Sequence, residues 1–233
     1  MNPALLLLAD SRLPAGGHAH SGGAEQAVTS GAVHDLASLA GFLRGRLHTS
    51  GRVAAALAAA ACANAARACA PSGKAAPGVP PDPAWAELDA EADARTASPA
   101  QRDASRIQGR LLLRVARRVW PSPALDGLAL SVPEPHHSVT LGVTAYAAGA
   151  SPEDAALAAA YHAVTGSATA AVRLLGLDPV EVHRLLADLS PDLSATAALT
   201  AITGWAGLPA HSAPGLDLLA ESHARAGTRL FVS

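Results

Sequence analysis

An all-α fold is what this sequence predicts, and three observations carry the reading. Half of the 233 residues are hydrophobic but only 3% are aromatic. A core must then come from Leu, Val and especially Ala, which favours closely packed helices over a sandwich of bulky strands. Helix-start chemistry recurs along the chain as a Ser or Asp ahead of Pro or an acid, whereas strand punctuation is almost missing. A chain of this length buries roughly 70% of the surface its unfolded form exposes. The expectation is one domain over residues 1–233, of roughly eight to ten packed helices with two Pro/Gly-rich loops.

Each element has a local cause. The apolar run from Leu5 to Leu8 opens a first helix, residues 10–23 form a loop of specified shape, and a second helix follows from Glu25. Asp35 can cap a helix running through Phe42 and Leu47, and residues 53–68 continue in an Ala-rich pattern of high helix propensity. The stretch 71–83 holds five prolines with Gly73 and Gly78, and reads as a mobile linker. Residues 85–96 and 99–119 are helical in pattern; prolines at 121 and 123 end the second, and an irregular loop is expected from there to about Pro135. Ser151-Pro152-Glu153-Asp154 starts a long helix over 152–175 that Gly176 stops. Asp178-Pro179-Val180-Glu181 starts another reaching Leu189, and Ser190-Pro191 restarts or kinks it toward Trp205. After a loop over 206–215, a short helix covers residues 216–224, and the tail 227–233 remains.

Charge and cysteine usage narrow the partners. Seventeen Lys and Arg against nineteen Asp and Glu leave a formal charge of -2, no footprint for a general nucleic-acid binder. No signal peptide or membrane span is expected, since Asp10 ends the first apolar run and the run from Val53 is interrupted by Asn64 and Arg67. Cys62 and Cys69 would lie ~10.5 Å apart along one helix, too far for a bridge, which needs less than about 7 Å. Free thiols and a reducing cytoplasm fit best.

The segment from Asp10 to Glu25 is the most informative. It is rich in glycine, holds Pro14 and keeps seven polar side chains. Asp10, Ser11, Pro14, Gly16, His20, Ser21, Gly23 and Glu25 match every named position of the pattern Asp-Ser-x-x-Pro-x-Gly-x-x-x-His-Ser-x-Gly-x-Glu. On these residues the chain resembles the UreF family of urease accessory proteins. It departs at His18, where the family usually carries an aromatic, and at Ala24, where it usually carries Leu. The run His136 to Val143 with Gly149 and Ser151 resembles a central stretch of the family. Glu221-Ser222-His223 with Arg229-Leu230-Phe231 resembles its ending, and Ser105-Arg106 with Gly109-Arg110 supports the match.

The resemblance implies a helical, non-enzymatic assembly factor. It would dimerise, bind UreD (also called UreH), recruit the GTPase UreG, and help nickel reach the urease apoprotein, with nickel as cargo and no tightly bound cofactor. The partner-binding residues it points to are Pro14, Gly16, His20, Ser21, Gly22, Glu25, Arg106, Arg110, Arg229, Leu230 and Phe231. Small residues such as Gly142, Ala145, Gly166, Ser167 and Ala168 would let helices approach closely and present rigid faces.

Individual residues also have plainer readings. His18 and His20 offer two imidazoles to a transition metal, but two ligands make a weak site; hydrogen bonding that fixes the loop suits His20 and Ser21 better, with Ser21 capping the helix of Glu25. Of His136 and His137, adjacent at a helix start, one should pack or cap and the other face solvent. Arg102, Arg106, Arg110, Arg114 and Arg118 form a stripe beside an apolar one at Ile107, Leu111, Val115 and Val119, which is expected to bury the helix. The basic stripe is either a solvated, internally paired face or a surface for an acidic partner, and reversing Arg106 and Arg110 to Glu is expected to spare folding. Phe231 either seals the core or anchors a partner, a choice worth ~1.5–3 kcal/mol of burial. Two rival classes are a helical transcription regulator, for which the arginine stripe is the one candidate reader, and a metal-dependent hydrolase built on His18, His20 and Asp10 or Glu25.

Overall fold

The computed structural model describes residues 3–69, 82–198 and 204–233, and every regular element among them is helical. The α-helices are α1 (Pro3–Ala9), α2 (Ala24–Thr29), α3 (Leu36–Arg46), α4 (Arg52–Ala68), α5 (Pro83–Ala94), α6 (Pro99–Val119) and α7 (Pro123–Ser131). They continue with α8 (His137–Ala147), α9 (Pro152–Leu175), α10 (Pro179–Asp188), α11 (Ser190–Ala198) and α12 (Pro214–Arg225). The count runs just past the expected range because several segments are short.

Side-chain caps start half of them. Asp35 accepts from Ser38 N while Ser38 reaches back to the Asp35 amide, and Ser151 and Asp154 do the same at α9. Asp82, Ser98, Ser122 and Asp178 each cap a helix with Pro at its start. Gly176 closes α9 at φ 64°. Most of the proline-rich stretch 71–83 lies outside the described residues, but its end, Asp82-Pro83, opens α5.

Two expectations are corrected, and a third is filled in. Residues 123–131, read as irregular, are α7: Ser122 accepts from Ala124 N and Pro123 occupies the first turn. The helical patterns expected through Leu47 and over 53–68 are joined without a loop, by a π turn over Leu47–Gly51 that carries α3 into α4. The α6 face that packs inward is Gly109, Leu112, Leu113 and Ala116, while Val119 of the predicted apolar stripe is exposed and Ile107, Leu111 and Val115 are half-buried.

The centre is α4 against α8 and α9. Ala55, Ala58, Ala59 and Cys62 of α4 join an apolar cluster with Leu39, Leu43, Leu141, Ala155 and Leu189. On its other side Ala56, Leu57, Ala60 and Ala61 join Trp85, Leu88, Leu125 and Leu128. A helix buried on both sides packs closely only with small residues, and this one is mostly alanine. The approach to α8 is close enough that a Cβ on Gly142 would overlap the Ala58 carbonyl oxygen; one on Gly109 would overlap that of Pro135. No described helix is long and apolar enough to cross a membrane. Both cysteines are free, and burial pushes the Cys62 thiol up to about 12.

Candidate functional site

The segment 10–25 and the tail form one structure. Asp10 turns the chain out of α1 by accepting from the Arg12 amide at 2.9 Å and from its guanidinium at 2.7 Å, and these bonds hold its carboxyl down at about 2. Pro14 and His18 are exposed and His20 is buried. His20 Nδ1 shares a 2.6 Å hydrogen bond with Ser233 Oγ, and burial lowers the imidazole to about 4. Ser21 is fully buried: its Oγ accepts from Glu25 N at 3.3 Å, its carbonyl accepts from Ser167 Oγ at 2.9 Å, and its amide donates to the Ser233 carbonyl. Gly22 sits at φ 60°, and a side chain there would meet Ser167 Oγ at 2.8 Å and the Arg46 guanidinium at 3.0 Å. Gly16 (φ 78°) and Gly23 (φ 89°) share the left-handed region.

Glu25 holds the tail. Its carboxylate accepts from the Leu230 amide at 2.7 Å and the Phe231 amide at 3.0 Å. His223 of α12, itself buried, donates from Nε2 to the Phe231 carbonyl at 3.3 Å and turns Nδ1 toward Glu25 at 3.7 Å. The Val232 amide closes the edge on the Ala19 carbonyl at 2.7 Å. The main chain of residues 230–233 is therefore held by the fold. Phe231 is partly buried, while Leu230 is 78% exposed and Arg229 is exposed. Glu221 ties α12 to the start of α6, accepting from Ser98 Oγ at 2.6 Å and Ala100 N at 3.0 Å.

Arg106 and Arg110 lie elsewhere and differ from one another. Arg106 turns inward, donating to Asp89 at 2.9 Å, to Asp93 at 2.5 Å and to the Glu134 carbonyl at 2.5 Å. His136 completes that network: its amide donates to Asp89 at 2.7 Å, and its ring nitrogens lie 2.8 Å from Asp93 and 3.0 Å from Ser105 Oγ. Arg110 makes an exposed 2.6 Å pair with Glu134. The expectation that reversing both arginines spares folding is thereby corrected, since Asp89 is buried and an acid at position 106 would face it directly. Asp89, Asp93 and His136 have the donor set of a small metal site, but the Arg106 guanidinium is already paired with both carboxylates. His137 is not the solvent-facing partner of His136: it is half-buried, and burial pulls its imidazole down to about 3.

Sequence reasoning passed over Arg46 and Ser233, and named Ser167 only as a small residue that lets helices approach, not as the donor to the Ser21 carbonyl. Arg46 donates from Nε to the Ala163 carbonyl at 2.7 Å and from Nη1 to the Gly22 carbonyl at 2.8 Å, fastening the loop to α9. Nothing in its local sequence marks it. The candidates for a third ligand beside His18 and His20 are both engaged, Asp10 by Arg12 and Glu25 by the tail. The loop, the tail, Arg46 and His136-His137 all border one cavity of about 930 Å³.

Fold and site define an all-helical protein whose first loop and last residues are joined into a single platform by buried polar groups. A UreF family model matches residues 33–190. Over 98% of its length, this chain is 48% identical to the urease accessory protein UreF of Mycolicibacterium vanbaalenii, covering 97% of that protein. The corresponding protein of Mycobacterium marinum is 47% identical, and that of Mycobacterium tuberculosis 44% identical, at the same coverage. The chain belongs to the UreF family of urease accessory proteins.

Proposed function

We propose that the chain serves urease maturation as a non-catalytic scaffold. It assembles with a UreD/UreH-type protein and the GTPase UreG, regulates that GTPase, and supports nickel insertion into the urease apoprotein; nickel is cargo, and the chain itself carries no tightly bound cofactor. It acts in the cytoplasm, as a homodimer, without nucleic acid or membrane as partner. The observation that carries this reading is the platform: in a chain matching its UreF relatives from end to end, the signature loop and the tail meet and leave Leu230 and Val232 exposed beside α12, where Leu218 is exposed too. A partner docking there reads an apolar, shape-defined surface, which suits a chain of near-balanced charge.

The regulator alternative keeps only part of its reader, because Arg106 is spent inside the fold, Arg102 donates to the Thr96 carbonyl at 2.8 Å and Arg110 pairs with Glu134, which leaves Arg114 and Arg118 of the stripe facing outward. Co-expression with the UreD and UreG of the same cell, affinity capture and light-scattering chromatography test the proposal. A stoichiometric assembly that is lost on deleting residues 229–233, with helicity intact, is the expected result. Elution of the chain alone beside soluble partners overturns it.

A further inference from the structure

One half-buried cation among the described residues grips the fold without an anion. Arg95 is matched by Glu91, and Arg106 by Asp89 and Asp93. Arg46 is different: its two hydrogen bonds go to the neutral carbonyls of Ala163 and Gly22, and among the described residues no carboxylate stands within ion-pair distance. Burial alone pulls its guanidinium down to about 10. A desolvated guanidinium held by carbonyls keeps its full charge and unused N–H groups, and both favour an oxyanion with two acceptor oxygens.

The surroundings supply more donors. Arg46 lines the 930 Å³ cavity together with Ser50, His137, Ser138, His162 and Gly22. His162 adjoins the residue whose carbonyl Arg46 grips, and its ring centroid lies 6.0 Å from that of His137. The His162 Nε2 is spent on the Leu8 carbonyl at 3.0 Å. The His137 ring and the buried Ser138 hydroxyl have no hydrogen-bond partner among the described residues, and either can donate into the cavity. The acidic side chains on the cavity wall, Asp103 and Asp217, belong to α6 and α12, Asp217 accepts from Gln101 at 3.1 Å, and the Ser233 carbonyl on the same wall is engaged by the Ser21 amide.

We propose that this wall is a binding site for a small free oxyanion of the phosphate or carboxylate type, gripped by Arg46 with His137 and Ser138 as further donors. The occupied site would lock the loop at Gly22, the π turn and α9 together. It does not depend on the urease reading, because only this chain and an anion are involved.

The test uses the full chain and inorganic phosphate at constant ionic strength, with chloride as the control. Phosphate should raise Tm saturably where chloride does not, and should shift the NMR signals of Arg46 Nε and the His137 ring. Arg46→Gln should weaken phosphate binding at least tenfold. Because Arg46 also fastens the loop, His137→Asn and Ser138→Ala serve as independent variants, each expected to weaken binding several-fold while leaving the phosphate-free Tm nearly unchanged. The proposal is overturned by a phosphate effect equal to that of chloride, by shifts mapping away from this wall, or by undiminished binding in the variants.

Discussion

Replacing Glu25 by Gln isolates what joins the two ends of the chain. The carboxylate accepts from the Leu230 and Phe231 amides at 2.7 and 3.0 Å and is 8% exposed. Hydrogen bonds to a charged group contribute about 1.5–3 kcal/mol each. Gln keeps one neutral acceptor and turns an NH₂ donor toward the second amide, so one bond is lost and the other weakened. Release of the tail returns about 1–2 kcal/mol of backbone entropy per residue over roughly four residues, and water takes over the freed amides. Against that entropy stand the Glu25 bonds together with the tail's bonds to Ala19, His20, Ser21 and His223, at about 0.5–1.5 kcal/mol each, so the opposing terms nearly cancel. Glu25→Gln should therefore undock the tail at a cost to global stability of under about 2 kcal/mol. Hydrogen exchange should show the amides of Leu230, Phe231 and Val232 losing protection more than tenfold while those of α4 and α9 keep theirs, and urea unfolding should stay cooperative. Retained protection of the tail refutes the clasp; a loss above about 4 kcal/mol would show instead that the platform is part of the core.

Three other outcomes follow from particular contacts. Gly142→Ala places a Cβ into the Ala58 carbonyl and must part α4 from α8, so urea unfolding should register a loss of more than about 2 kcal/mol; a neutral result refutes the close approach. Arg106→Gln strips the buried Asp89 of its cation, and its loss should fall toward the lower end of the ~3–5 kcal/mol range because Arg106 is itself partly exposed; Arg110→Gln, at an exposed pair, should cost under about 1 kcal/mol. Burial holds His20 at about 4 and His137 at about 3, below their ordinary 6.5, so the unfolded chain binds protons the fold refuses. Their contribution is complete above pH 6.5 and lost as pH falls through it, about 2 kcal/mol for each at pH 5. Denaturation at pH 7 and pH 5 should show that slope, and His20→Asn should flatten it.

What was legible in the sequence is what forms within four residues. The Asp35–Ser38 and Ser151–Asp154 boxes and the stop at Gly176 declare themselves locally, and α3, α6, α9 and α12 start within about two residues of their expected positions. Ser122-Pro123 carries the same start signal as Ser98-Pro99, but Pro121 beside it masked a helix of nine residues. Hydrophobic periodicity named α6 yet chose the wrong stripe, because its packed face is built on Gly109 and Ala116, and small residues that permit close approach carry little hydrophobicity. Glu25 and Leu230 stand 205 residues apart and Arg46 and Ala163 117 apart, so neither pairing leaves a local trace.

The signature segment becomes chemically intelligible only with the tail in place. His20 and Ser21 meet Ser233, Glu25 meets residues 230 and 231, and Gly22 leaves room for Ser167 and Arg46. The polar members of the motif that are buried are thus engaged in holding the platform together. What the platform turns outward is Leu230, Val232 and Arg229, with Pro14 and His18 on the loop. A partner that grips Leu230 and Val232 can draw the tail from Glu25 at small net cost, because the clasp is nearly balanced by the entropy of release. The same arithmetic that makes Glu25→Gln mild makes the tail exchangeable between its own fold and a neighbour.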